Sequence, residues 1–226
     1  MNTDVPTLPL APEYPVDLVV DGTKVTTLMC TPASLEELAA GHLYCTGMIR
    51  SRAQLASISV LADGRTVMVK LKDSAGLDDC PRKSAAVRWP VSLADLQRKA
   101  AEMFSMAEMY RRTGGMHCAA LWTAENTFTV REDVGRHNAV DKVIGRGLLD
   151  GIDLAQAILL TSGRFAADMV MKAKNAGICF LVTRSIPTST AYNIAVEAGM
   201  TLVGRIERAD PILYNRTDRI ALIARP

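Results

Sequence analysis

The sequence predicts an α/β fold preceded by a smaller α+β unit, and three observations carry that prediction. C-terminal to residue 118, apolar runs of strand length alternate with segments of helical periodicity, the links between them are short and rich in Gly, Ser and Thr, and residues 16–91 instead show paired alternating runs around Asp-Gly turns. Strands alternating with helices over short links imply parallel pairing through right-handed crossovers. Parallel sheets place the C-terminal ends of their strands and the N-termini of the following helices on one edge, which is where ligands bind.

The elements follow in order. Residues 1–15 read as an extended arm, and residues 16–20 and 25–29 as a hairpin closed by Asp21-Gly22. Thr31 is the expected N-cap of a helix with Pro32 at its first position, Leu35, Leu38, Ala39 and Leu43 on one face and Gly47 as its stop. Residues 58–61 and 67–71 form a second hairpin around Asp63-Gly64, and the polar segment 73–88, holding Cys80, completes the small unit 16–91. The second unit, 92–226, opens at Ser92 and Asp95 with the longest expected helix. Its apolar positions Leu93, Leu96, Ala100, Met103, Ala107 and Tyr110 run unbroken to Gly114-Gly115. A third hairpin (118–122 and 127–130) leads into helix 139–149, strand 157–160, helix 165–176, strand 178–182, helix 188–198 and strand 201–206.

Composition narrows the function. With 226 residues and 49% hydrophobic content the chain can bury a substantial core. Its formal charge of +2, with acids and bases interspersed, offers no stripe suited to nucleic acid or an anionic membrane, so neither is expected as a partner. The first fifteen residues lack the basic and apolar regions of a signal peptide, and no apolar run reaches spanning length. Five cysteines, Cys30, Cys45, Cys80, Cys118 and Cys179, are an odd number with no CxxC spacing. That pattern points to a reducing compartment, the cytoplasm, with mostly buried thiols and no metal centre.

The densest polar stretch is Glu132-Asp133-Val134-Gly135-Arg136-His137-Asn138-Ala139-Val140-Asp141-Lys142, placed at a strand-to-helix turn. Free backbone N–H groups and the positive end of the helix dipole meet there, which suits an anion, whereas Arg136 and His137 are unfavourable at that position until something negative answers them. Two later turns repeat the theme: Thr161-Ser162-Gly163-Arg164, and the 183–190 turn with Arg184, Ser185 and Thr188. Together they describe a pocket for a multiply phosphorylated ligand. Ordinary helix capping by Ser and Thr is the plain alternative for each turn alone. No GxxxxGK[ST] loop occurs, which argues against ATP-driven chemistry.

These motifs carry a resemblance. Gly114-Gly115-Met116-His117-Cys118-Ala119, the string from Glu132 to Lys142, Ser162-Gly163-Arg164 with Asp168-Met169-Val170-Met171-Lys172-Ala173, Pro187-Thr188 and Gly199-Met200-Thr201-Leu202-Val203-Gly204 resemble the FdhD/NarQ family of formate dehydrogenase accessory proteins. The likeness extends back to Cys30-Thr31-Pro32 and to Leu35-Glu36-Glu37-Leu38-Ala39-Ala40-Gly41-His42. It implies a cytidine-deaminase-like α/β domain, a homodimer, and binding of the molybdenum cofactor in its bis-molybdopterin guanine dinucleotide (bis-MGD) form. It further implies transfer of sulfur from a cysteine desulfurase to that cofactor before it enters the formate dehydrogenase catalytic subunit. Cofactor contacts are then expected at His117, Glu132, Asp133, Gly135, Arg136, His137, Asn138, Asp141, Lys142, Ser162, Gly163, Arg164, Arg184, Ser185 and Thr188, with Glu132, Asp133 or Asp141 reading guanine.

One departure touches the chemistry. Where family sulfurtransferases carry a Cys-Gly-x-Cys-Gly element, this chain has Cys80 alone, beside Arg82 and Lys83, which would lower its thiol pKa. Cys80 is therefore the expected sulfur-carrying residue. The alternative is a divergent cofactor-binding chaperone, similar to the FdsC type, that hands over the cofactor without sulfurating it. Ala166-Ala167, Ile186 and Arg205 also depart from the family pattern. A nucleotide-binding deaminase is the remote rival, but its zinc site needs H-x-E and P-C-x-x-C, and His117 is followed by Cys118-Ala119.

Overall fold

The structure is a computed structural model, and it describes residues 10–72, 87–215 and 220–223. In the first unit β1 (Tyr14–Val20) and β2 (Thr23–Cys30) pair antiparallel through a turn with Asp21 at φ 48° and Gly22 at φ 81°, the double left-handed geometry that a two-residue hairpin demands. Helix α1 (Leu35–Thr46) follows and ends at Gly47, φ 80°. The second hairpin, β3 (Leu55–Val60) and β4 (Thr66–Leu71), joins the first by parallel pairing of β4 with β1, giving the order β2-β1-β4-β3.

Thr31 does not cap α1. The helix starts later, with Ser34 in a left-handed conformation before it and no side-chain cap. The Thr31 hydroxyl instead donates to Pro12 O (3.1 Å) and accepts from Val134 N (3.1 Å), tying the first unit to the second.

The second unit begins with β5 (Val87–Ser92) and α2 (Leu93–Met106), whose start carries the expected reciprocal cap between Ser92 and Asp95. The long helix is broken: Ala107 leaves helical geometry at ψ 85°, and a separate α3 (Glu108–Thr113) follows. Next come β6 (His117–Trp122), β7 (Phe128–Asp133), α4 (Arg136–Leu149), β8 (Ile158–Thr161), α5 (Ala167–Asn175), β9 (Phe180–Thr183), α6 (Ser189–Glu197) and β10 (Thr201–Gly204). Besides β5, which the sequence reading left within a polar segment and a helix start, two further unforeseen strands complete the fold. The strand β11 (Ile212–Asn215) runs antiparallel beside β10, and β12 (Ile220–Ile223) pairs in parallel with β5.

The main sheet has the order β11-β10-β9-β8-β6-β7, with β8, β9 and β10 parallel as expected. Strand β6 is antiparallel to both its neighbours, so the β7-α4-β8 connection crosses over it. Alternation divides the sheet cleanly. Ala119, Leu121, Leu159, Leu181 and Leu202 pack with residues of α1, α4, α5 and α6, while Ala120, Trp122, Leu160, Phe180 and Val203 pack with those of β5 and α2. The first cluster continues into Val16, Leu18, Leu43 and Val69, so one hydrophobic core runs through both units. No helix among the described residues is long and apolar enough to cross a membrane.

Helices α1 and α4 meet backbone to backbone. A Cβ on Gly41 would lie 1.8 Å from Asp141 O, and one on Gly145 would lie 1.9 Å from Glu37 O. Because those obstacles are main-chain carbonyls, a methyl group there must push the helices apart rather than displace a side chain. Gly145→Ala is expected to lose about 3 kcal/mol or more, the upper end for overpacking. Urea unfolding with an unchanged midpoint would refute the close crossing.

Candidate functional site

The site is built on the edge where β8, β9 and β10 end. Its turns are zipped together: Thr183 Oγ1 donates to Gly163 O (2.7 Å), Arg184 N to Thr161 O (3.2 Å), Arg205 N to Ser185 O (2.8 Å) and Ile206 N to Thr183 O (3.2 Å). Hydroxyls shape the turns locally, Thr161 Oγ1 accepting from Gly163 N and Thr183 Oγ1 from Ser185 N. Thr188 caps α6 by accepting from Ala191 N. The start of α4 rests on the first of these turns, and a Cβ on Gly163 would lie 2.9 Å from Arg136 Cβ. Strand β6 begins and β7 ends at the same edge, so His117, Gly135, Arg136, His137, Ser162, Gly163, Arg164, Arg184, Ser185 and Thr188 share it.

The three arginines differ in what they touch. Arg164 is exposed and Arg136 half-buried, and neither has an ion-pair partner among the described residues; Arg136 Nε is itself buried without an acceptor. Arg184 is engaged: its Nε lies 2.6 Å from Glu207 Oε2, it donates to the Tyr110 hydroxyl, and its guanidinium sits 5.4 Å from the Phe104 ring centre. His137 Nε2 approaches Asp168 Oδ2 at 2.7 Å without hydrogen-bond alignment. His117 Nδ1 lies 3.2 Å from Ser162 Oγ, which also accepts from Cys118 N. Burial, then the positive charges of Arg136 and His137, hold the His117 pKa below its ordinary 6.5.

Five residues expected at the ligand lie inside the scaffold. The carboxylate of Glu132 accepts from Met109 N (3.1 Å) and Tyr110 N (2.6 Å), capping α3 from another element and explaining the break at Ala107. Asp133 is fully buried and accepts from Thr31 N, Gly135 N and Asn138 Nδ2 while pairing with Lys142 Nζ at 2.6 Å. Lys142, equally buried, also donates to Thr31 O and Glu132 O. Asn138 donates to Met29 O at 2.7 Å. Asp141 is held by Lys172 (2.6 Å), with His42 Nδ1 at 3.3 Å. The oxygens of Glu132, Asp133 and Asp141 are thus committed to internal donors, and a guanine edge would have to displace part of the scaffold to reach them.

Four thiols, Cys30, Cys45, Cys118 and Cys179, are buried, and burial pushes Cys30 up to about 11 and Cys118 up to about 12. Cys80 lies outside the described residues. Among the described residues no three of His, Cys, Asp and Glu cluster as metal ligands. A separate groove of about 630 Å³, lined by Glu36, Arg52, Leu55, Ile58, Lys72 and Leu149, lies at the far end of α4 from the site. The sequence reading missed the turn after β10: Arg205, with φ 53°, and Glu207 stand beside Ser185 and Arg184. The strand preceding them was the available signal, since its end belongs to the same edge.

Fold and site together define an α/β protein with an electropositive edge at the ends of three parallel strands. The chain belongs to the FdhD/NarQ family, whose model matches residues 11–221. It is 33% identical to the sulfur carrier protein FdhD of Streptomyces coelicolor, over 95% of this chain and 90% of the relative. Identity is 36% to the sulfur carrier protein FdhD of Mycolicibacterium paratuberculosis, over 93% and 91%. A solved structure from Desulfotalea psychrophila, described as a formate dehydrogenase accessory protein, superposes with a TM-score of 0.80 at 28% identity, covering 93% of this chain and 90% of that one.

The imidazole of His117 gives a pH prediction. A histidine whose folded pKa is depressed leaves stability untouched above 6.5 and erodes it as pH falls from there through the folded midpoint, because the unfolded chain takes up the proton first. Denaturation between pH 7 and 5 should show wild type losing more stability than His117→Asn, and an NMR titration of His117 should have its midpoint below 6.5. A midpoint at or above that value would overturn the assignment of a neutral ring.

Proposed function

We propose that the chain is an accessory protein of formate dehydrogenase maturation that binds the guanosine phosphate ends of bis-MGD at the edge of its main sheet. The observation that carries this reading is the pair of guanidiniums beside the start of α4, Arg136 and Arg164, that lack a counterion among the described residues. A buried Arg136 Nε with no acceptor is the kind of donor that a phosphate oxygen satisfies. The residues fit the anionic part of this cargo: Arg136 and Arg164 would neutralise phosphates, Gly163 lets the Arg136 side chain lie against its turn, and neutral His117 offers a hydrogen bond without adding charge. The names of the relatives support the role: a sulfur carrier and a formate dehydrogenase accessory protein. The partners in this reading are the dehydrogenase catalytic subunit, a second copy of this chain and, for sulfur loading, a cysteine desulfurase.

Four of the five thiols are buried, so sulfur carriage falls to Cys80. A second reading, binding and handover without sulfur transfer, is favoured by the single cysteine in a segment where the family places a pair. Complementation separates the two. Cys80→Ala should abolish formate dehydrogenase activity in a strain lacking the native protein under the first reading, and full activity would establish the second.

Ligand binding is tested directly by calorimetry. GDP should bind more tightly than ADP, and Arg164→Ala should weaken GDP by about 1.5–3 kcal/mol, the range for a hydrogen bond to a charged group. Equal affinity for the two nucleotides, or an unaffected variant, would remove the guanosine assignment or this turn, respectively.

A further inference from the structure

We propose that Glu207 is an internal counter-anion that occupies Arg184 in the empty site and is displaced by the ligand, so that it sets the affinity of the edge for anions. The inference rests on the anion-binding reading above. Arg164 and Arg184 follow neighbouring parallel strands paired in register at Thr161 and Thr183, and both are substantially exposed, yet among the described residues only the second carries an acid. That acid is delivered by a built turn. Arg205 adopts a left-handed conformation, φ 53°, unusual for a residue with a Cβ, and hydrogen bonds from Arg205 N and Ile206 N to the β9 turn hold it there. The turn closes through Arg208 N to Arg205 O (2.9 Å), and Gln97 Nε2 fixes it to α2 through Arg208 O (2.8 Å). Glu207 therefore faces Arg184 from a position set by main-chain bonds on two sides. The pair remains open to solvent, with side-chain exposures of 48% for Arg184 and 38% for Glu207, so exchanging the carboxylate for a phosphate needs no unfolding. The Tyr110 hydroxyl and the Phe104 ring stay on the guanidinium during that exchange and keep it at the edge.

The test is a double-mutant cycle read by calorimetric titration with GDP, using the full chain. Glu207→Gln should bind GDP about two- to five-fold more tightly than wild type, the span of an exposed ion pair. In an Arg184→Met background the same change should give no gain, because the gain acts through Arg184. Unchanged or weaker binding by Glu207→Gln would overturn the proposal, the weaker case showing that Glu207 orients Arg184 for the ligand. A gain that persists in the Arg184→Met background would also overturn it, since loss of a negative charge would then act at large. Absence of GDP binding in wild type and every variant would instead sink the anion-binding reading itself.

Discussion

The buried pair of Asp133 and Lys142 is the interaction on which the rest of the molecule depends. Taking both charges out of water is costly, and in a low-dielectric interior the cost is repaid only when every remaining donor and acceptor is satisfied. Here they are. The Lys142 ammonium has three protons and three oxygen partners, on Asp133, Thr31 and Glu132, while Asp133 also receives backbone N–H groups from Thr31 and Gly135. One carboxylate thereby fixes the end of β7, the turn into α4 and the chain segment between β2 and α1. The direction in which Arg136 and His137 leave the sheet follows from that arrangement.

Charge at the working edge is divided between two layers. Beneath the surface, Asp133 with Lys142 ties the end of β7 to α4, and Asp141 with Lys172 ties α4 to α5, each charge cancelling its partner. On top, acids answer only part of the positive potential: Asp168 faces His137 and Glu207 faces Arg184, whereas Arg136 and Arg164 have no ion-pair partner among the described residues. Cations at a helix start are locally unfavourable. Arg136 at the first position of α4 therefore lowers stability locally, and under the proposed function a bound anion would offset that.

Much of the fold was legible in the sequence because it is written in periodicity. The Asp21-Gly22 and Asp63-Gly64 turns, the Ser92 and Asp95 cap, and the strand-helix alternation after β6 each depend on neighbours within a few residues, and each was found. Features set by distant residues were not. The carboxylate of Glu132 terminates a helix that its own periodicity would continue, and Thr31 gives up a cap for a bond to Val134. The site was half legible for the same reason. Sequence placed these turns on one edge, as the structure has them, but a charged residue inside a satisfied network and one without an ion-pair partner among the described residues look alike in a string of letters. Asp133 and Lys142 stand beside Arg136 in the chain and point the other way.

Where Gly41 meets Gly145 there is no side-chain layer between α1 and α4, only peptide groups in contact. Such a joint has no soft material to absorb rotation. At this crossing the hairpin unit has no room to rotate over the main sheet as a lid, because α1 bears directly on the middle of α4 at Asp141 and Gly145. At this joint the two units are locked together, so movement at the strand-end edge falls to its turns and side chains rather than to one unit sliding on the other.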